Sequence, residues 1–244
     1  MTYDSETYGE RHAGIYDDWY SSCDETTIAI LAGLARGGRV LELGIGTGRI
    51  ALPLAMRGVD ISGIDASSTM IDRLRAKAAG NEIPVRTGNF ADVDIEGEFS
   101  LIFVASGTFF VLLSQEEQAR CFRNAAQHLT SGGVFLVEGS VPDLSRYRDG
   151  QVIRASKVTA DMVSLHVAIH EPGEQRIASQ QIIINESKTR MYPAQFRYAW
   201  PSELDLMARL AGLRLRERWA NWRCDPFSSK SNNHVSIYER TPPE

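Results

Sequence analysis

The sequence predicts an α/β fold, a doubly wound and mostly parallel sheet that carries an antiparallel β insertion. Up to about residue 139, the period of the apolar residues alternates between strand-like and helix-like, which is typical of parallel strands joined by crossover helices. From residue 152 to 198 the pattern becomes β-rich, and Val163, Leu165, Val167 and Ile169 alternate with more polar positions. The composition agrees with this class, because 43% hydrophobic and 23% charged residues are typical of a soluble globular chain.

The first part of the chain supplies the parallel strands and their helices. Glycines mark several helix ends, and Ser114 with Glu117 has the spacing of a capping box. The expected elements are a helix from Asp24 to Gly37, a strand at 40–43, a helix at 49–57, a strand at 60–65, a helix from Ser67 or Ser68 to Ala79, a strand at 99–104, a helix from Ser114 to about Leu129, a turn at 131–133 and a strand at 134–138.

The second part of the chain predicts a subdomain and a return to the main sheet. Residues 141–199 form the β-rich insertion, with a turn at 171–174. A helix at 201–211 and strands at 213–219 and 234–238 follow it. We therefore expect a core made of residues 1–140 and 200–244, with residues 141–199 as a lid or substrate subdomain.

Charge and cysteine usage restrict the partners of the protein. The chain has 26 Lys and Arg against 31 Asp and Glu, a net charge of −5, which predicts no nucleic-acid or membrane partner. Cys23, Cys121 and Cys224 are too widely spaced for a disulfide framework or a metal site. The N-terminus is acidic and has no apolar segment. The sequence thus predicts a cytoplasmic protein that binds no metal and acts on a small molecule.

A glycine-rich turn after the first strand predicts a ligand site. Gly44, Gly46 and Gly48 alternate with other residues between a strand and a helix, so the backbone can approach a ligand closely. Arg49 stands where a dinucleotide motif needs Gly or Ala and a P-loop needs Gly, which excludes both phosphate-binding motifs. Asp65 ends the second strand 21 residues after Gly44, where an acidic residue typically binds ribose. The pattern indicates a riboside.

These segments resemble motifs I, II and III of class I S-adenosylmethionine-dependent methyltransferases. The resemblance comes from residues 42–48, from Gly63-Ile64-Asp65-Ala66-Ser67 with Met70, and from Gly88-Asn89-Phe90, and it covers about residues 8–139 and 197–239. It implies a Rossmann-like sheet of seven strands with the last strand antiparallel, and S-adenosylmethionine as the cofactor.

The resemblance also assigns roles to individual residues. Gly44, Gly46 and Gly48 would contact the methionine part, Glu42 would lie near its amino group, and Asp65 would accept hydrogen bonds from both ribose hydroxyls. Asn89 departs from the family, where Asp is commoner, but its amide oxygen can still accept from the adenine amino group. The other residues expected at the cofactor are Tyr16, Tyr20, Ala66, Met70, Phe90 and Ala105.

The segment after the fourth strand restricts the acceptor. Residues 105–110 contain neither the Asn-Pro-Pro-aromatic tetrapeptide of enzymes that methylate DNA adenine or protein glutamine nor an Asp cluster of metal-dependent catechol enzymes. The β-rich insertion resembles the lid of small-molecule N-methyltransferases of antibiotic biosynthesis that act on amino sugars and related amines. Phe109, Phe110, His166 and His170 are expected to form the substrate wall, although both histidines also fit a solvated strand face.

An aromatic stripe near the N-terminus has two interpretations. Tyr8, His12, Tyr16 and Trp19 recur at helical spacing, which is typical of a helix packed on a core. The resemblance favours a flap over the cofactor, with Tyr8 and Tyr16 as catalytic residues, since aromatic rings suit a sulfonium cation and a phenol can orient an amine. We expect methyl transfer to an amine; an O-methyltransferase using His166 or His170 as base, or a non-catalytic cofactor-binding module, remain the alternatives.

Overall fold

The computed structural model describes residue 3, residues 6–92 and residues 94–242. The helices are α1 (Thr7–Trp19), α2 (Glu25–Ala35), α3 (Ala51–Met56), α4 (Ser68–Arg75), α5 (Gln115–Gln127) and α6 (Pro201–Leu210). The strands are β1 (Val40–Leu43), β2 (Ile61–Asp65), β3 (Val85–Thr87), β4 (Phe99–Val104), β5 (Leu129–Ser140), β6 (Gln151–Val158), β7 (Met162–Glu171), β8 (Arg176–Asn185), β9 (Thr189–Arg197), β10 (Leu213–Trp219) and β11 (Asn233–Arg240).

The main sheet has seven strands in the order β10-β11-β5-β4-β1-β2-β3. Strands β1 to β5 run parallel to one another, whereas β11 pairs antiparallel with both β5 and β10. The order reverses between β1 and β4, which places a crevice at the carboxyl ends of these two strands. The predicted fold class is therefore confirmed, including the antiparallel last strand.

A second sheet follows β5 in the chain. Its four strands, β6 to β9, pair antiparallel in sequence order, and we refer to them as the inserted sheet. This antiparallel insertion after the fifth strand was predicted from the alternating pattern and is confirmed. Among the described residues, no helix combines the length and the hydropathy that crossing a bilayer requires.

The parallel strands are buried on both faces. All four residues of β1 are buried, and two apolar clusters cover the opposite sides of the main sheet. Leu41 and Leu43 belong to one cluster and Val40 to the other, as the alternation of side chains along a strand requires. This double burial explains why apolar residues occur at consecutive positions of these strands, with Glu42 as a buried charged exception in β1.

Two local expectations were wrong, and one strand was not predicted from the local pattern. Helix α4 ends at Arg75 rather than near Ala79, because Ala79 has a φ of 62° and the chain folds back so closely that a side chain at Gly80 would collide with the Leu74 carbonyl oxygen. The expected turn at 131–133 lies within β5, which begins at Leu129. Strand β3 was not identified from the local pattern, since it has three residues and two of them are exposed.

A buried polar network joins the inserted sheet to the core. The Arg197 guanidinium at the end of β9 donates to Gln118 Oε1 at 2.6 Å, to Gln175 Oε1 at 2.9 Å and to Glu203 Oε1 at 2.8 Å. Burial opposes ionisation of Glu203, but hydrogen bonds from Gln175, Arg197 and Gln115 lower its pKa below the ordinary value. The network fixes the end of β9 against α5 and α6.

Candidate active site

The glycine-rich turn follows β1 and has left-handed backbone at all three glycines, with φ values of 73°, 55° and 79° at Gly44, Gly46 and Gly48. A side chain at Gly44 would collide with Thr108, 2.4 Å away, whereas one at Gly46 would meet nothing within 4 Å. A side chain at Gly48 would collide with Leu74 of α4. Gly44 and Gly46 line the cavity described below, while Gly48 allows the turn to pack on α4.

Asp65, at the end of β2, fixes this turn from the neighbouring strand. Its Oδ2 accepts the Gly46 N–H at 2.7 Å, and its Oδ1 accepts the Ser67 N–H at 2.9 Å. Burial raises the pKa of Asp65, although the hydrogen bonds from Ser67 and Gly46 oppose the shift. Each carboxylate oxygen keeps a second lone pair, so Asp65 can also accept from two ligand hydroxyls.

A small cavity behind the turn contains two buried polar atoms without hydrogen-bond partners, Glu42 Oε2 and Arg49 Nε. Ala105 and Tyr16 also line it, and Arg49 Nη2 donates to Ser106 Oγ at 2.5 Å. Burial raises the pKa of Glu42 well above its ordinary value, with the Arg49 guanidinium opposing the shift. A buried polar group without a hydrogen-bond partner destabilises the folded state. The pair therefore indicates a ligand that carries one positive and one negative group, which would complete the hydrogen bonding of Glu42 and Arg49.

Helix α1 lies over the turn and is held there by two acidic residues. Asp17 Oδ1 accepts from Thr47 Oγ1 at 2.7 Å and from Lys77 Nζ at 2.8 Å. Seven residues earlier, on the same helix face, Glu10 accepts from Ser67 Oγ at 2.8 Å. A side chain at Gly9 would collide with Ser67 Cβ at 2.3 Å, so glycine is required where α1 crosses the start of α4.

The aromatic stripe of α1 contains residues that fit each of the two interpretations, the flap over the cofactor and the helix packed on a core. Tyr8, Tyr16 and Tyr20 line the central cavity. His12 stacks on Tyr8 at 4.1 Å between ring centroids, and Trp19 packs edge-on at 5.1 Å against Tyr192 of the inserted sheet. Burial raises the pKa of both Tyr8 and Tyr16, so these phenols are neutral at physiological pH. One side of the stripe is therefore packing, and the other side is the cavity wall.

The central cavity has a volume of about 590 Å³ and extends from the turn toward β3. Ala66, Met70, Asn89 and Phe90 line its far end. Asn89 Oδ1 accepts the Ala91 N–H at 2.9 Å, and its Nδ2 donates to Glu117 Oε1 at 3.2 Å, which fixes the orientation of the amide. The structure thus brings most of the residues expected at the cofactor to one cavity, with Glu42 and Ala105 in the adjoining small cavity.

A side cavity of about 470 Å³ adjoins the central one. Ser106, Gly107 and Phe196 line both cavities, and Phe110 lines the side cavity. Phe109 lines neither cavity, because it is fully buried in the core cluster. Its ring packs edge-on against that of Phe110, with 5.8 Å between the ring centroids.

The two histidines on the inserted sheet line neither cavity. The Nε2 of His170 lies 2.9 Å from the hydroxyl of Tyr198, a residue of the side cavity wall. His166 is half-buried, and burial together with the Arg146 and Arg154 guanidinium groups lowers its pKa. The geometry therefore places His170 behind the side cavity and keeps His166 away from the central one.

Sequence reasoning missed Arg49, Asp17 and Phe196. Arg49 directly follows the glycine-rich turn, but it was interpreted only as a residue that the two phosphate-binding motifs do not allow at that position. Asp17 lies within the aromatic stripe, and its partners Thr47 and Lys77 are distant in sequence. Phe196 could have been found from the alternation of Tyr192, Ala194 and Phe196 along β9, which places all three on the buried face.

Comparison with known proteins identifies the family. A family model described as a methyltransferase domain matches residues 40–133. The structure of the CcbJ methyltransferase from Streptomyces caelestis is 38% identical, covers 98% of this chain and 100% of that chain, and superimposes with a TM-score of 0.91. The cypemycin N-terminal methyltransferase of a Streptomyces species is 28% identical over 209 residues, 84% of each chain. The dTDP-4-amino-2,3,4,6-tetradeoxy-D-glucose N,N-dimethyltransferase of Saccharopolyspora spinosa is 26% identical over 207 residues, 81% of this chain and 76% of that one.

The match to the CcbJ methyltransferase extends over the inserted sheet as well as the glycine-rich turn, because it covers nearly the whole chain. Motif I, Asp65 and the strand order with an antiparallel last strand agree with that match. The chain therefore belongs to the class I S-adenosylmethionine-dependent methyltransferases.

Proposed function

We propose that this enzyme transfers a methyl group from S-adenosylmethionine to the nitrogen of a small-molecule amine. The observation that carries the choice of nitrogen concerns the groups beside Tyr8 and Tyr16, since the described lining of the central cavity offers no free side chain that could act as a base. Among the described residues that line this cavity there is no histidine or lysine. Its two carboxylates, Asp65 and Glu117, already accept hydrogen bonds from neighbouring groups.

The cavity residues fit the three parts of the cofactor. Asp65 offers two acceptor positions for the ribose hydroxyls, and the apolar far end with Met70 and Phe90 fits adenine. Glu42 Oε2 and Arg49 Nε, which are buried without partners, suit the ammonium and the carboxylate of an amino acid end. The sulfonium group supplies an activated methyl group.

The chain contributes alignment and exclusion of water to the reaction. Tyr8 and Tyr16 project from α1 into the central cavity as neutral phenols, so each can accept or donate one hydrogen bond to an incoming amine. Their rings also provide faces that favour a cation, at about 0.5 to 2 kcal/mol per contact. In this proposal Tyr8 and Tyr16 hold the nitrogen in line with the carbon–sulfur bond, and α1, which lies over the turn, keeps water out.

Nitrogen and oxygen acceptors differ in what they require of these residues. A neutral amine attacks through its lone pair and loses a proton afterwards, whereas a hydroxyl needs a base during attack. His170 lines neither cavity and is paired with Tyr198, so it is poorly placed to serve as that base. The names of the cypemycin and amino-sugar relatives also support nitrogen as the acceptor.

The side cavity provides room for an acceptor larger than the amine itself. It opens beside Phe196 and Ser106, and Phe110, Tyr198 and Asn233 form part of its wall. Aromatic and amide groups of this kind suit a partly apolar molecule that carries hydroxyl or amide groups. We therefore include Phe110 and His170 in the acceptor region, His170 through its contact with Tyr198.

Turnover with a panel of acceptors tests the proposal. Amino sugars and peptides with a free N-terminus are incubated with S-adenosylmethionine, and each is paired with the analogue in which a hydroxyl replaces the amine. Mass spectrometry should detect a gain of one methyl group, about 14 Da, on amines only. Methylation of the hydroxyl analogues at equal rates would overturn the choice of nitrogen, and cofactor binding without turnover across the panel would favour a non-catalytic module.

A further inference from the structure

Ser106 lies two residues after β4, where the three cavities of the site meet. Among the residues that the structure describes, it alone lines the small cavity with Glu42 and Arg49, the central cavity and the side cavity. Under the proposed function, the small cavity holds the amino acid end of the cofactor and the side cavity holds the acceptor. The two reactants would therefore approach each other beside Ser106, and the position of this residue would set the space between them.

The backbone at this point is in an unfavourable conformation. Ser106 has a φ of 58° and Gly107 a φ of 74°, so two consecutive residues are left-handed. Glycine adopts this conformation freely, but a residue with a Cβ atom is strained there. Such strain persists only where the surrounding structure holds the residue in place, and it is common at functional sites. A strong partner must therefore hold Ser106.

Glu138, in the neighbouring strand β5, supplies that partner. Its Oε2 accepts the Ser106 N–H at 2.7 Å, and its backbone carbonyl accepts the Gly107 N–H at 3.3 Å. Hydrogen bonds to a carboxylate are stronger than those between neutral groups. The carboxylate is itself fixed, because its Oε1 accepts from Trp222 Nε1 at 2.8 Å. One residue of β5 thus holds both left-handed residues.

The contacts of Ser106 continue toward the phenol of Tyr16. Arg49 Nη2 donates to Ser106 Oγ at 2.5 Å. Arg49 is also close to Tyr16, because its positive charge opposes the rise that burial causes in the pKa of that phenol. Both Arg49 and Tyr16 line the central cavity. A change at Glu138 can therefore reach two residues of the cavity wall through Ser106.

We propose that Glu138 is a positioning residue for methyl transfer, which holds Ser106 in its left-handed conformation between the cofactor and the acceptor. This inference rests on the proposed function, since the meeting of the two reactants beside Ser106 gives the position its effect. Glu138 lines none of the three cavities, so it acts through Ser106 rather than on a reactant. Its loss should lower kcat more than cofactor affinity, because Glu42 and Asp65 hold the cofactor from other strands.

Double-mutant kinetics test this proposal on the amine that the wild type methylates fastest. Glu138→Ala should lower kcat at least about 10-fold, since a displacement of about 1 Å can cost 100-fold in rate. In the Ser106→Gly background the same substitution should lower kcat less than about threefold, because glycine keeps the left-handed backbone without a partner. Ser106→Gly itself removes the contact with Arg49, so each comparison is made within one background. The affinity of Glu138→Ala for S-adenosylhomocysteine should stay within about threefold of the wild type.

Glu98→Ala is the matched control, since Glu98 is an exposed glutamate that directly precedes β4. Its kcat should stay within about twofold of the wild type. Circular dichroism and thermal melting establish that every variant is folded. Glu138→Gln replaces Glu138→Ala if the latter unfolds, because its amide has one oxygen for the two N–H groups of Ser106 and Trp222. An equal loss of kcat in the two backgrounds, or wild-type kcat in Glu138→Ala, would overturn the proposal.

The NMR resonance of the Ser106 amide proton gives a second measurement, which needs no acceptor. In the isotope-labelled wild type this proton should resonate downfield, because it donates to a carboxylate, and it should move upfield in Glu138→Ala. A resonance that does not move would overturn the proposal. Failure of the proposed function is a separate result, because it appears as a wild type that methylates no amine. That result would overturn the role of Glu138 in methyl transfer as well, while the resonance would still show whether Glu138 holds Ser106.

Discussion

Replacing Asp65 by Asn tests the central assignment of the cofactor site. In the structure, each carboxylate oxygen of Asp65 accepts one backbone N–H, from Gly46 at 2.7 Å and from Ser67 at 2.9 Å. Each oxygen therefore has one remaining lone pair for a ribose hydroxyl. Asn has nearly the same shape but only one oxygen, so its NH₂ group would face one of these N–H groups.

The expected effect follows from the lost acceptor. One hydrogen bond to a charged group contributes about 1.5 to 3 kcal/mol, which corresponds to a loss of roughly 10-fold to 150-fold in affinity. Stability should fall less, because burial raises the pKa of Asp65 and the amide removes a desolvated charge. The variant should therefore be folded and bind the cofactor product weakly.

Isothermal titration calorimetry with S-adenosylhomocysteine measures this effect. Asp60→Asn is the matched control, because Asp60 directly precedes β2 and its side chain is 69% exposed. The control should bind like the wild type. An Asp65→Asn protein that binds within threefold of the wild type would refute the ribose assignment, as would an equal loss of affinity in both variants.

Three further predictions concern the N-terminal helix and the core. Tyr16→Phe should lower kcat more than cofactor affinity, whereas Tyr16→Ala should lower both; wild-type turnover in both variants would assign the stripe to packing alone. Gly9→Ala should weaken cofactor binding and turnover because its Cβ would collide with Ser67, and Gly14→Ala, where nothing lies within 4 Å, should not. Burial lowers the pKa of His234 to about 4, so the folded state resists protonation and stability falls as pH drops from 6.5 to 4. Urea unfolding should show a loss of about 2 kcal/mol between pH 7 and pH 5 that is missing from His234→Gln; equal losses would contradict this origin.

Most of the fold could be predicted because its elements are specified locally. The buried strands are rich in apolar residues at consecutive positions, and the side chains of Ser67 and Ser114 cap their helices. Strand β3 depends on pairing with β2 rather than on its own three residues, so no local pattern identifies it. The irregular start of β5 likewise depends on β4, where the pairing shifts between Phe99 and Leu101.

The candidate site likewise contains residues that the sequence predicts and residues whose role depends on the folded structure. Gly44 and Asp65 were predicted because the ends of adjacent parallel strands meet at one edge of a sheet, whatever the rest of the chain does. The hydrogen bonds of Asp17 to Thr47 and Lys77 join residues 30 and 60 positions apart, and no sequence spacing indicates them. The position of Phe109 depends on packing, since it and Phe110 are adjacent and only the latter lines a cavity.

The sequence suggests that the first 139 residues hold the cofactor and that the insertion selects the acceptor, but the structure joins the two tasks through α1. One side of this helix is fixed to the turn and to α4 by Asp17 and Glu10. Its other side packs on β9, where Trp19 contacts Tyr192 and the rings of Tyr8 and Phe196 pack with 6.4 Å between their centroids. The tyrosines that line the cavity are therefore positioned from both sides. Under the proposed function, a substitution in β9 would displace these tyrosines through α1 without touching the cofactor, and it would thereby lower the rate of methyl transfer.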